Sequence, residues 1–215
     1  MAGTLNEQPA PACGGRAAEL AGGPACELAD SAVIRESLRQ PELFAVVYDR
    51  YAIVLHRYAG RRVGADAADD LVAATFLAAF GARRRYDLDR ASARPWLFGI
   101  LTKEIARRQR AEKARLRALA RVWSDRPADG LADRVADDVT AQAARGQLAA
   151  ALARLSSAER GVLLLIAWAD LSYDEAAQAL GIPVGTVRSR LSRARRKVRE
   201  ELGGINPAAA NEEQS

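Results

Sequence analysis

Apolar side chains recur at three- and four-residue intervals along most of this chain, and stretches that alternate with period two are hard to find. That spacing marks one face of an α-helix. In PELFAVVYDRYAIVLHRYAGRRVG, Leu43, Val46, Val47, Tyr51, Val54, Leu55 and Tyr58 fall on such a face, with Gly60 and Gly64 bracketing its end. ADAADDLVAATFLAAFGARRRYD predicts a second helix. Asp66 is its N-cap, with Asp69 three residues on, and both carboxylates suit the positive end of the helix dipole. Leu71, Val72, Thr75, Phe76, Ala79 and Phe80 form its stripe, and Gly81 is its stop. Pro95 opens a third helix, PWLFGILTKEIARRQRAEKARLRAL, apolar at first and then strongly basic. The pattern predicts an all-α fold of two small helical domains.

The pattern lapses in three places. Residues 1–30 are Ala, Gly, Pro and small polar residues without periodicity, and are predicted to be a disordered extension. Residues 120–140 hold Pro, Gly and many acids, and read as a linker. Residues 203–215 are a polar tail. The predicted domains are therefore 31–119 and 141–202. In the second, SSAE (Ser156 to Glu159) and SYDE (Ser172 to Glu175) are capping-box patterns, each ahead of an apolar helical stretch.

From Ser172 to Leu180 the chain predicts a short capped helix, then a Gly181-Ile182-Pro183 turn, then a longer helix from Val184: a helix-turn-helix. At about 100° per residue, Val187, Leu191, Ala194 and Val198 of the second helix share one narrow face. Ser189, Ser192, Arg193 and Arg196 lie opposite, flanked by Arg188, Arg190, Arg195 and Arg199. Seven residues from Arg188 to Arg199 are Arg or Lys and none is acidic. A charge run alone is most often a solvated face. Here the paired helices and the tight turn favour DNA, where Arg reads guanine bidentately, Ser serves several base edges and flanking cations hold phosphates.

The 215 residues carry 32 Lys and Arg against 27 Asp and Glu, a net charge of +5. The excess is small but segregated. Bases crowd 83–121 and 188–199, while acids collect at 66–70 and 125–138, which points to a polyanionic partner. Cys13 and Cys26, the two cysteines, read as free thiols in a reducing cytosol, and one His cannot complete a zinc site with them. No cofactor or metal is expected. No apolar run approaches the roughly 20 residues that cross a bilayer, and no signal peptide is evident, so a cytoplasmic protein without membrane insertion is expected.

LSSAERGVLLLIAWADLSYDEAAQALGIPVGTVRSRLSRARRKV resembles region 4 of the extracytoplasmic-function (ECF) sigma factors of the sigma-70 family. ELFAVVYDRYAIVLHRYA, DDLVAATFLAAF and RPWLFGILTKEIARR resemble region 2 of that family. The two stretches cover most of residues 40–200, in the family's order. The resemblance implies a protein that binds core RNA polymerase at its clamp helices and flap, directs it to particular promoters and helps melt them. By position in the motif, Arg188, Ser189, Arg190, Ser192, Arg193 and Arg196 would face the upstream, −35-type duplex, with Thr186 near its backbone. Arg83, Arg84, Arg85, Tyr86, Arg90, Trp96, Lys103, Arg107 and Arg108 supply cations and aromatics for an opened −10-type strand. Trp96 reads as core or as a stacking platform, and Tyr86 is equally open. Asp69, Asp70, Leu71, Thr75, Phe76 and Phe80 lie where the family meets the clamp. The acids otherwise complement a helix dipole, and the aromatics otherwise fill a core.

Two departures from the family pattern stand out. Lys103 replaces a frequent Asn, which keeps phosphate attraction but gives up two-sided hydrogen bonding. Ala73 and Ala74 replace frequent Gln and Glu. His56, among apolar helix residues, reads as structural. An anti-sigma partner is a further implication of the resemblance. The competing readings are a stand-alone helix-turn-helix regulator with a dimerising N-terminal bundle, and a nucleic-acid enzyme. The enzyme lacks a credible cluster of His, Asp and Glu.

Overall fold

The computed structural model describes residues 28–122 and 139–202. These contain eight α-helices, two short 3-10 turns and no strand. The chain divides into two compact units, with the boundary between residues 108 and 109. Residues 1–27 and 203–215, most of the expected linker, and both cysteines lie outside the described residues.

The first unit begins with α1 (Asp30–Glu36), a 3-10 turn (Pro41–Leu43) and α2 (Phe44–Val63). It continues through α3 (Ala65–Ala82), a second 3-10 turn (Arg83–Arg85) and the start of α4 (Arg94–Val122). Val46, Val47, Leu55 and Tyr58 of α2 are buried, as the spacing predicts. Leu97, Leu101 and Ile105 of α4, four residues apart, are fully buried against them. The Tyr58 and Phe98 rings meet edge to face at 5.3 Å, a geometry aromatic pairs favour.

The first long helix, α2, ends at Val63, between Gly60 and Gly64 as expected, but two other expectations about element ends need correction. The break falls at Gly64, whose φ of +89° is the left-handed backbone that glycine adopts most easily. Because Gly64 is the single residue between the helices, Ala65 starts α3. Asp66 is therefore a first-turn acid rather than the N-cap. Gly81 lies inside α3, which continues to Ala82 and tightens into the 3-10 turn.

Asp30 also needs reassignment. Placed in the disordered extension by composition, it is a helical residue only 4% exposed. One of its oxygens accepts from the Arg50 guanidinium at 2.5 Å. The other accepts from the Tyr51 hydroxyl at 2.5 Å and the Ala93 N–H at 2.6 Å. A buried carboxylate is tolerated when its lone pairs are met this fully. Asp30 thus ties α1 to α2 and to the lead-in of α4. Burial, and then the neighbouring carboxylate, push the Tyr51 hydroxyl well above its ordinary pKa.

The second unit comprises α5 (Val139–Arg154), α6 (Ser157–Ala169), α7 (Tyr173–Leu180) and α8 (Val184–Glu201). Both capping boxes form. Ser156 Oγ accepts from the Glu159 N–H at 3.2 Å, and the Ser156 N–H donates to Glu159 at 3.0 Å. Ser172 and Glu175 repeat the exchange at 3.2 and 2.8 Å. Gly181, at φ +65°, closes α7. The Ile182 N–H reaches back to the Ala177 carbonyl at 3.0 Å, which satisfies an otherwise orphaned helix-end acceptor. Val187, Leu191 and Ala194 of α8 are buried against α6 and α7. Each of the two larger side chains contributes about 1.5–3 kcal/mol on burial.

Candidate nucleic-acid interface

The buried stripe of α8 fixes which of its side chains point outward. Arg188, Ser189, Ser192, Arg193 and Arg196 are exposed, while Thr186 and Arg190 are half-buried. The Ser189 hydroxyl donates to the Thr186 carbonyl at 3.1 Å. On one flank, Arg188, Ser192, Arg195, Arg196 and Arg199 line a hollow of about 450 Å³ beside Tyr173 of α7. On the other flank, the Lys197 ammonium donates to both oxygens of Glu159, at 3.0 and 2.9 Å. Arg193 Nε stands 3.9 Å from the same carboxylate. The Lys197 hydrogen bond, reinforced by those from Ser156, pulls the Glu159 carboxyl down to about 2. Sequence reading found Glu159 only as a cap. Its reach to α8 depends on how α6 and α8 pack, which no local pattern encodes. Arg196 and Glu200, one turn apart at 3.8 Å and both exposed, form a pair of little energetic weight.

The basic residues of the first unit are more mixed. The Arg83 guanidinium lies 3.6 Å over the Phe80 ring and donates to the Phe80 carbonyl at 2.5 Å. Arg84, Arg85, Lys103, Arg107 and Arg108 are exposed. Arg90 donates to Asp87 at 2.8 Å, which holds the Asp87 carboxyl below its usual range. Arg107 and Glu104 pair at 3.5 Å. Tyr86 is not presented to a base. It is 6% exposed, its hydroxyl donates to the Arg90 carbonyl at 2.9 Å, and its ring packs 4.9 Å from Trp96. Burial pushes its hydroxyl up to about 12. Trp96, half-buried, holds this packing from α4.

On α3, Asp69 and Asp70 are exposed, 3.0 Å from His56 and 4.0 Å from Arg108 respectively. Leu71, Thr75 and Phe76 are core, so they offer little surface to a partner. The Thr75 hydroxyl donates to the Leu71 carbonyl at 2.7 Å. Phe76 packs 4.7 Å from Tyr48. Half-buried Phe80 meets Phe44 edge to face at 5.4 Å. His56 is exposed, on a groove of about 690 Å³ between α2 and α3. Sequence reading missed Tyr48 and Ile53, which line this groove, and Leu77 of α3; they are 48%, 70% and 74% exposed. The available signal was that Ile53 and Leu77 are large apolar residues off the core stripes of their helices. Among the described residues no His, Cys, Asp and Glu cluster could hold a metal ion, and no helix is long and apolar enough to cross a membrane.

A helix-turn-helix with a basic outer face, carried in one unit of a two-unit helical chain, has the layout of a DNA-binding protein. Residues 47–115 match the family model for sigma-70 region 2, and residues 145–198 the model for sigma-70 region 4. The chain is 34% identical over 165 residues to the ECF RNA polymerase sigma factor SigL of Mycobacterium tuberculosis, covering 75% of this chain and 91% of that protein. It is 40% identical over 134 residues to SigC of the same species, covering 60% of this chain and 66% of that protein. A solved structure of CnrH in complex with the cytosolic domain of CnrY matches with a TM-score of 0.57 at 26% identity, covering 82% of this chain and 99% of that one. The chain belongs to the ECF sigma factors of the sigma-70 family.

Proposed function

We propose that this chain binds bacterial core RNA polymerase in the cytoplasm, brings it to particular promoters and assists their melting, with no catalytic step of its own. The observation that carries this reading is the outer face of α8. Ser189 and Ser192 stand among Arg188, Arg193 and Arg196 on a helix whose inner stripe is locked, and a region 2 unit shares the chain. A helix seated this way fits a major groove with short hydroxyls and forked guanidiniums at base edges. In the first unit, Arg84, Arg85, Arg90, Lys103 and Arg107 supply cations for the opened strand, and Trp96 with Tyr86 braces the turn that carries the first three. Asp69, Asp70 and Phe80, joined by exposed Leu77 and Ile53, form the surface for the polymerase clamp. An anti-sigma partner completes the reading, in keeping with CnrH, a structural neighbour, being solved in complex with the cytosolic domain of another protein, CnrY.

The test is co-purification of the full chain with core polymerase, then run-off transcription on genomic fragments. A stoichiometric complex that initiates at a small set of promoters is expected. Specific duplex binding with no polymerase complex would instead make the chain a stand-alone regulator.

A further inference from the structure

One carboxylate of the second unit does more than its capping role requires. Closing the α6 box needs a single side-chain acceptor for the Ser156 N–H. Glu159 meets that need, yet both of its oxygens also hold Lys197 of α8, and one lies 3.9 Å from Arg193. Glu159 is only 6% exposed, so its carboxylate is less screened than one at an open surface. The two flanks of α8 therefore differ. Arg188, Arg195 and Arg199 make no ion pair among the described residues, whereas Lys197 is hydrogen-bonded to α6 and Arg193 stands beside the same carboxylate.

We propose that Glu159 is a positioning residue of the DNA interface, which withholds Lys197 from phosphates and steadies Arg193 at the base edges. The proposal rests on the DNA-reading role of α8 given above. A lysine released on that flank is a cation without sequence preference. Each phosphate it neutralises steepens the dependence of binding on salt by about 0.9 in log–log slope. Arg193 approaches the carboxylate through Nε, which leaves its two terminal nitrogens for a bidentate contact with a base. Loss of the tether thus raises indiscriminate binding and loosens the discriminating contact together.

The experiment titrates the full chain against two duplexes over a range of salt. One duplex is selected by the wild-type chain from a random pool, and the other is its shuffled counterpart. Glu159→Gln keeps an acceptor oxygen for the Ser156 N–H, so the cap survives while the charge is removed. Tighter binding of Glu159→Gln to the shuffled duplex is expected, with a salt slope steeper by about one phosphate. The preference for the selected duplex falls roughly tenfold, the scale of one mismatched base pair. Adding Lys197→Met returns the slope to its wild-type value. A wild-type slope and preference in Glu159→Gln overturns the proposal. So does an equal loss on both duplexes with a lowered melting temperature, which marks a purely structural role. Wild type that enriches no duplex at all overturns the DNA reading beneath, a failure distinct from wild type that discriminates while Glu159→Gln matches it.

Discussion

On α8 the basic side chains stand outside a buried apolar stripe, while in the first unit those between Arg83 and Arg90 are partly engaged by the fold itself. Arg83 covers a phenyl ring, Arg90 pairs with Asp87 and Tyr86 is buried, which leaves Arg84 and Arg85 facing outward. A helix with a clean stripe sorts its residues by position, so charge on the far side is available for binding. A turn has no such rule, and its side chains go wherever a ring, a carbonyl or a carboxylate receives them. The units also differ in how they are held. The first has a buried ion pair and hydroxyl around Asp30, and the second has two capping boxes and a salt bridge at its rim.

The largest effect expected from this comparison is at Asp30. Asp30→Ala takes the countercharge from the buried Arg50 guanidinium, which keeps its hydrogen bond to the Leu28 carbonyl at 2.8 Å, and should cost the first unit about 3–5 kcal/mol. The midpoint of urea unfolding by circular dichroism measures it, and the transition of the second unit should not shift comparably. Arg188→Ala comes next. It should weaken binding to the selected duplex by about 1–3 kcal/mol if it reads a base edge, and relax specificity at that position. A uniform loss over all sequences would assign it to phosphate. Ser172→Ala removes one acceptor from the start of α7, and thermal melting should register about 1 kcal/mol in the second unit.

The last contrast is in acid. Glu159 has a depressed folded-state pKa, so its contribution to stability is fully present above the ordinary value of 4.5 and is lost as pH falls toward about 2. Acid melting of the second unit should steepen across that window in wild type and flatten there in Lys197→Met.

Where local pattern decides the outcome, the fold was legible in the amino-acid chain. The buried stripes of α2 and α8, both capping boxes and the Gly181 turn follow from spacing and side-chain chemistry alone. Some element ends were less legible, because Gly81 sits within a helix that continues to Ala82 despite the weak local preference of glycine. Asp30 was hidden because its three partners come from residues 20 to 63 positions away. Tyr86 was left open, and the exposure of His56 went unread, for a related reason. Burial of a turn aromatic and exposure of a helix histidine depend on which neighbouring helix covers them. Of the candidate interface, the outward face of α8 could be read from the sequence, but the Glu159 contact with Lys197 and the exposure of Ile53 and Leu77 could not.

The most direct test of the division of labour between the two basic surfaces is DNase I footprinting for upstream protection and permanganate footprinting for opening, with holoenzyme on duplex and pre-opened templates of one promoter side by side. Arg188→Ala should lose opening on the duplex promoter because it fails to engage the upstream element. The Arg84→Ala/Arg85→Ala chain should keep upstream protection yet fail to open the duplex, and recover transcription on the pre-opened template. Loss of upstream protection by both variants to the same degree, with no rescue by pre-opening, would contradict the account.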